Sequence, residues 1–121
     1  MKKIWVIEDE AHIRHLLRAI LEKDGHGVEL FANGENFLTH LESHLPDLII
    51  LDIMIPGIGG LQILKNLQEK EKTKGIPVVL LTAIAQESVV VQGIKLGAKD
   101  YIRKPFHPKE FSARIKHFLE S

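Results

Sequence analysis

The chain has 121 residues, of which 45% are apolar or aromatic and 26% are charged, which predicts a single domain over residues 1–121 with its own core. Sixteen Lys and Arg balance sixteen Asp and Glu, and there is no cysteine; this disfavours a basic nucleic-acid binder and excludes disulfide frameworks, thiolate metal sites and Cys nucleophiles. No apolar run reaches membrane length and Met1-Lys2-Lys3 leads into only Ile4 to Ile7, so a soluble, cytoplasmic protein without a secretion signal is expected.

Strand-length apolar bursts alternate with helix-like patterns along the chain. Ile4 to Ile7 is the first burst, and Glu8-Asp9-Glu10 ends it. Ile13, Leu16, Leu17, Ile20 and Leu21 then follow the i, i+3, i+4, i+7, i+8 rule of an amphipathic helix, with Gly25 as its stop. A second strand is predicted over Val28 to Ala32, and a second helix is capped by Asn33, carries Phe37, Leu38, Leu41 and Leu45, and ends at Pro46. Leu48 to Leu51 is the third strand, followed by a helix from about Gly60 through Leu64 and Leu67 to Gly75. Val78 to Leu81 is the fourth strand. The helix after it, Gln86 to Leu96, should be the least stable, because Val89-Val90-Val91 and Gly93 are poor helix formers. Asp100 to Arg103, with Tyr101-Ile102 as its apolar centre, is the last strand, and Pro108 opens a final helix with Phe111, Ile115, Phe118 and Leu119 on one stripe.

Five such alternations predict an α/β fold with a parallel sheet, since parallel neighbours need crossovers of this length. Strands one, three and four read as unbroken apolar runs, as strands covered on both faces should. Strands two and five are more mixed and suit edges. The order 2-1-3-4-5 satisfies both conditions, giving a doubly wound five-stranded sheet with five helices, a flavodoxin-like three-layer sandwich whose ligands bind at the carboxyl ends of strands one and three.

Glu8 and Asp9 close strand one and Asp52 closes strand three, so this order gathers three carboxylates in one crevice. Two like charges about 4 Å apart repel by roughly 4 kcal/mol at an effective dielectric near 20. A cation or a shifted protonation must offset that, and an oxygen-only donor set suits Mg²⁺. Thr82-Ala83 ends strand four with a hydroxyl, and Lys104-Pro105 ends strand five with an ammonium. Carboxylates, hydroxyl and ammonium together would accommodate a phosphoryl group, with the central Asp52 as nucleophile.

These residues (Glu8-Asp9; Asp52 followed by Met54, Pro56 and Gly60; Thr82-Ala83; Gly97 to Tyr101; and Lys104-Pro105-Phe106) resemble a response-regulator receiver domain of two-component signalling systems, over essentially the whole chain. The resemblance implies that Asp52 accepts a phosphoryl group from a sensor histidine kinase or phosphotransfer protein. Glu8, Asp9, Asp52 and the Met54 backbone carbonyl would serve Mg²⁺, directly or through water, and Lys104 would pair with the acyl phosphate. Thr82 and Tyr101 would be the switch residues, and the Lys104-Pro105 peptide is usually cis in such domains. The signal would leave, and a homodimer could form, through the face of the fourth helix, fifth strand and fifth helix. Neither direct nucleic-acid binding nor membrane attachment by this domain is implied.

Departures from the family pattern include Gly59 where Asp is frequent, predicting a more mobile loop, Trp5 in place of an aliphatic residue, and Lys99 in place of an Asp. Other readings stand beside this one. Gly57 and Gly59 fit a dinucleotide-binding G-x-G-x-x-G, but Gln62 fills the third position. An aspartyl-nucleophile phosphatase commonly needs a carboxylate two residues after the nucleophile, where this chain has Met54. A receiver-like interaction module that takes no phosphate is a third possibility. The pairs His40/His44 and His12/His15 read as solvated helix faces, as does Lys65 to Lys74.

Overall fold

The computed structural model describes residues 2–83 and 87–120. Its strands are β1 (Lys3–Ile7), β2 (Gly27–Phe31), β3 (Leu48–Asp52), β4 (Val78–Thr82) and β5 (Asp100–Arg103). Its helices are α1 (Ala11–Lys23), α2 (Gly34–Leu41), α3 (Gly60–Glu69), α4 (Glu87–Lys95) and α5 (Pro108–Glu120). The predicted start of the fourth helix at Gln86 lies outside the described residues. Strand pairing is parallel throughout, in the expected order β2-β1-β3-β4-β5.

Unbroken apolar strands are explained by two cores, one on each face of the sheet. Ile4 and Val6 of β1, Leu48 and Ile50 of β3, and Val79 and Leu81 of β4 point to the layer made by Leu17 and Leu21 of α1 and Phe111, Ile115 and Phe118 of α5. The alternate residues Trp5, Ile7, Ile49, Leu51, Val78 and Leu80 point to the layer made by α2, α3 and α4. Burying each such side chain contributes about 1.5–3 kcal/mol, so the central strands are stabilised from both sides. Trp5 fills the second layer near its β2 edge, with ring centroids 5.2 Å from Phe31 and 5.9 Å from Phe37.

Gly25 ends α1 as expected. Its φ of +90° is a left-handed conformation that favours glycine, and it lets Gly25 N–H donate to the Glu22 carbonyl while His26 N–H donates to that of Leu21. Asn33 caps α2 by accepting from the Asn36 N–H at 2.9 Å. Two helices stop earlier than their apolar patterns predict. α2 ends at Leu41, not at Pro46, because backbone bonds from Glu42, Ser43 and His44 to Thr39 and His40 close a turn, leaving Leu45 43% exposed. Asp47 then ties the chain to β1, accepting from Lys3 N–H at 2.7 Å. α3 ends at Glu69, not Gly75, because the buried Thr73 hydroxyl donates to the Leu67 carbonyl at 2.6 Å and satisfies an end-of-helix acceptor. The last strand runs over Asp100–Arg103, as the sequence predicts. No described helix is long and apolar enough to cross a membrane.

Candidate functional site

The carboxyl ends of β1 and β3 lie side by side at the point where the chain winds off in opposite directions, with Ile7 opposite Leu51 in register. Glu8 follows β1 and is fully buried; Asp52 is the last residue of β3 and 2% exposed. Asp9 is exposed at the rim. Oxygens of Glu8, Asp9 and Asp52 all lie within 4.8 Å of one another, the grouping read from the sequence. Asp9 and Glu10 precede α1, and Glu10 at its N-cap position makes no side-chain capping bond, so the acids are not explained as helix caps.

Lys104, from the segment after β5, reaches into this cluster. Its Nζ lies 3.1 and 3.2 Å from the two Glu8 oxygens and 3.2 Å from Asp52 Oδ2. The other Asp52 oxygen accepts from the Met54 N–H at 2.9 Å. The Asp52 carboxylate is thus oriented by one backbone donor and one ammonium. The Lys104-Pro105 peptide is cis, as the resemblance implied.

Burial pushes the Glu8 carboxyl up to about 8, with the hydrogen bond and charge of Asp52 acting in the same direction and Lys104 opposing them. For Lys104, burial lowers the proton affinity, but the adjacent Asp52 and Glu8 carboxylates outweigh it and hold the ammonium above its ordinary value. The pocket therefore offsets its crowding with one lysine and with a raised proton affinity at Glu8. A donor set of three clustered carboxylates without sulfur or imidazole fits a hard divalent cation.

Thr82, buried at the end of β4, is joined to the Lys104 segment through its carbonyl, which accepts from the Lys104 N–H at 2.7 Å. Tyr101 is 39% exposed on the edge strand, and its carbonyl accepts from Arg114 Nη1 at 3.0 Å. Met54 is 61% exposed, immediately beside the pocket. The histidine pairs do not join the cluster: the His40 ring packs 5.0 Å from Phe31, and His44 Nδ1 lies 3.0 Å from Ser43 Oγ.

Sequence reasoning missed two contributors. Arg14 Nη1 donates to the Glu8 carbonyl at 2.8 Å, fixing the end of β1 from the first turns of α1. Gly60 lets α3 start against the backbone of Asp52 and Ile53: a Cβ there would stand 2.6 Å from the Asp52 carbonyl oxygen. The glycine itself was visible in the motif; the contact requires the fold.

A doubly wound domain with an acid pocket and an inserted lysine at its switch point belongs to the class of signalling receiver domains. Residues 4–116 match the response regulator receiver domain model, and the chain belongs to that family. It is 44% identical over 115 residues to the phosphate regulon transcriptional regulatory protein PhoB of Escherichia coli, covering 95% of this chain and 50% of that protein. It is 42% identical over 118 residues to the alkaline phosphatase synthesis transcriptional regulatory protein PhoP of Bacillus subtilis, covering 98% and 48%. The chain thus spans about half the length of the curated relatives it matches. Among solved structures, the BeF3-activated DrrB receiver domain superposes with a TM-score of 0.89 at 34% identity, covering 100% of this chain and 99% of that one.

Proposed function

We propose that this domain is a phosphorylation-dependent switch whose phosphoryl acceptor is Asp52. The reading rests on one observation above all: Lys104 Nζ is held 3.2 Å from Asp52 Oδ2 inside the Glu8–Asp9–Asp52 pocket. A carboxylate oxygen of Asp52 attacks the phosphorus of a histidine kinase's or phosphotransfer protein's phosphohistidine. The P–N bond breaks, and the departing imidazole keeps its electron pair and takes up a proton, leaving an acyl phosphate on Asp52. Lys104 then pairs with the phosphoryl oxygens. Glu8, Asp9, Asp52 and the Met54 carbonyl are the residues that would hold Mg²⁺, which would neutralise phosphoryl charge as transfer proceeds.

The acyl phosphate carries about two negative charges where the Asp52 carboxylate carried one. These draw the Thr82 hydroxyl toward the phosphoryl group and Tyr101 inward behind it, changing the face formed by α4, β5 and α5. Val91 and Ile94 of α4, 43% and 42% exposed, leave apolar surface there through which a second copy or an output partner would read the state. A kinase donor of this kind fits a cytoplasmic protein. The phosphatase reading is weaker, because Met54 supplies no general acid two residues after Asp52.

Incubation with Mg²⁺ and acetyl phosphate should add one phosphoryl mass, and proteolytic mapping should place it on Asp52. Equal labelling of Asp52→Asn would overturn the assignment of the nucleophile; no labelling of the wild type under any donor would leave a phosphate-independent docking module. Thr82→Ala should still label. Losing one hydrogen bond to a charged group, worth about 1.5–3 kcal/mol, should shift its conformational equilibrium back by on the order of tenfold or more. Amide chemical shifts of Tyr101 and α4 measure this, and wild-type-sized changes in the variant would refute it.

A further inference from the structure

The segment that carries Met54 from the end of β3 into α3 is gripped from outside by α2. Glu35, in the first turn of α2, accepts from the Ile58 N–H through Oε1 at 3.3 Å. The same oxygen would stand 3.0 Å from a Cβ on Gly57, whose φ of +77° makes the turn. Gly34, one residue earlier, brings the start of α2 against α3: a Cβ there would meet Ile63 Cδ1 at 2.5 Å and the Ile58 carbonyl oxygen at 3.5 Å. Ile58 is half-buried and packs on the core layer beneath. The loop otherwise holds Gly57, Gly59 and Gly60, and Gly59, the N-cap residue of α3, offers no side-chain cap.

We propose that Glu35 is a positioning residue for the phosphoryl-accepting pocket: its carboxylate clasps the turn at Gly57 and Ile58 and so fixes the segment that leads from Asp52 through Met54 to α3. This rests on the reading of Asp52 given above. A glycine-rich segment samples many backbone conformations. Holding its far end restricts those open to Met54, whose N–H orients Asp52 and whose carbonyl is proposed above as a Mg²⁺ ligand. The clasp therefore acts on ion affinity more than on the transfer step once the pocket is filled.

Glu35 also lies where the helix dipole favours an acid, so a purely structural role in α2 has to be separated from the clasp. Glu35→Gln keeps an acceptor oxygen for Ile58 but removes the charge; Glu35→Ala removes both. In the metal-free protein, Glu35→Ala should speed amide exchange at Ile58 by about fivefold, as expected for one lost hydrogen bond. It should raise the Mg²⁺ concentration that half-saturates the Asp52 and Met54 amide shifts by roughly three- to fivefold if that freedom is coupled to the pocket. The rate of labelling by acetyl phosphate should fall at low Mg²⁺ and return to the wild-type value at saturation, and Glu35→Gln should restore most of both properties. Unchanged Mg²⁺ affinity in Glu35→Ala, whether or not Ile58 exchange accelerates, would overturn the proposal. So would a Gln variant as impaired as the Ala variant, since that would assign the effect to helix charge. If the wild-type amides around Asp52 do not respond to Mg²⁺ at all, the reading of the pocket fails instead, while Ile58 exchange still reports whether the clasp exists.

Discussion

Gly60→Ala is expected to destabilise the protein by about 2–3 kcal/mol and to lower Tm by roughly 10 °C. The added Cβ would stand 2.6 Å from both the Asp52 carbonyl oxygen and Ile53 Cα, and 2.9 Å from the Ile53 carbonyl oxygen. All three are backbone atoms at the end of a buried strand, so no rotamer change relieves the overlap. Either α3 moves outward, losing its Gly60 N–H bond to the Ile53 carbonyl, or the end of β3 shifts and carries Asp52 away from Lys104. Labelling of Asp52 should fall with stability. Gly59→Ala is the control: nothing lies within 4 Å of its added Cβ and its φ is −70°, so its effect should stay within about 0.5 kcal/mol. Thermal denaturation of the two variants tests this, and equal midpoints would show that α3 does not depend on that close approach.

In the metal-free protein, stability should fall as pH rises from about 5 to 8, and Mg²⁺ should counter most of the loss. Glu8 is raised from 4.5 to about 8 in the folded state. Between those values the native protein holds a proton that the unfolded chain has released. Stability is therefore fully present below about pH 4.5 and declines as pH approaches 8, by at most about 1.4 kcal/mol per pH unit from this group. Lys104, shifted upward, titrates above this window. A divalent ion bound by the Glu8 carboxylate displaces that proton, so Mg²⁺ should stabilise more at pH 8 than at pH 6. Glu8→Gln should flatten the metal-free profile and be the more stable protein at pH 8, because it removes a buried charge. Denaturant titrations at half-unit pH intervals measure both effects. The same downward slope in Glu8→Gln would assign the pH dependence to other groups.

Local patterns carried most of the architecture. Ile4 to Ile7, Leu48 to Leu51 and Val78 to Leu81 are continuously apolar because helices cover both faces, and that alone places them centrally. Given the strand order, Glu8, Asp9, Asp52, Thr82 and Lys104 fall at one edge, since strand ends share a level in a parallel sheet. The misplaced helix ends have a different origin. Leu45 continues the period of α2, but the Asp47 contact with Lys3, 44 residues away, draws the chain off the helix axis first. Thr73 stops α3 through a hydroxyl bond that no hydrophobic period encodes. Arg14 on the Glu8 carbonyl, Glu35 on Ile58 and Gly60 against Asp52 are likewise single contacts with no periodic signal. A shifted protonation was foreseen from the crowding, but that Glu8 is the acid pushed up was not, because it depends on its burial in the fold.

Lys104 meets Glu8 across 96 positions of sequence, and it arrives from the last strand of the sheet. The acidic ends of β1 and β3 therefore take their counter-ion from a segment distant in sequence, and only the fully wound sheet supplies it. The edge strand thus does more than close the sheet: undocking it would withdraw the ammonium and leave the buried acids facing one another, so the loosest margin of the fold is tied to its most crowded corner.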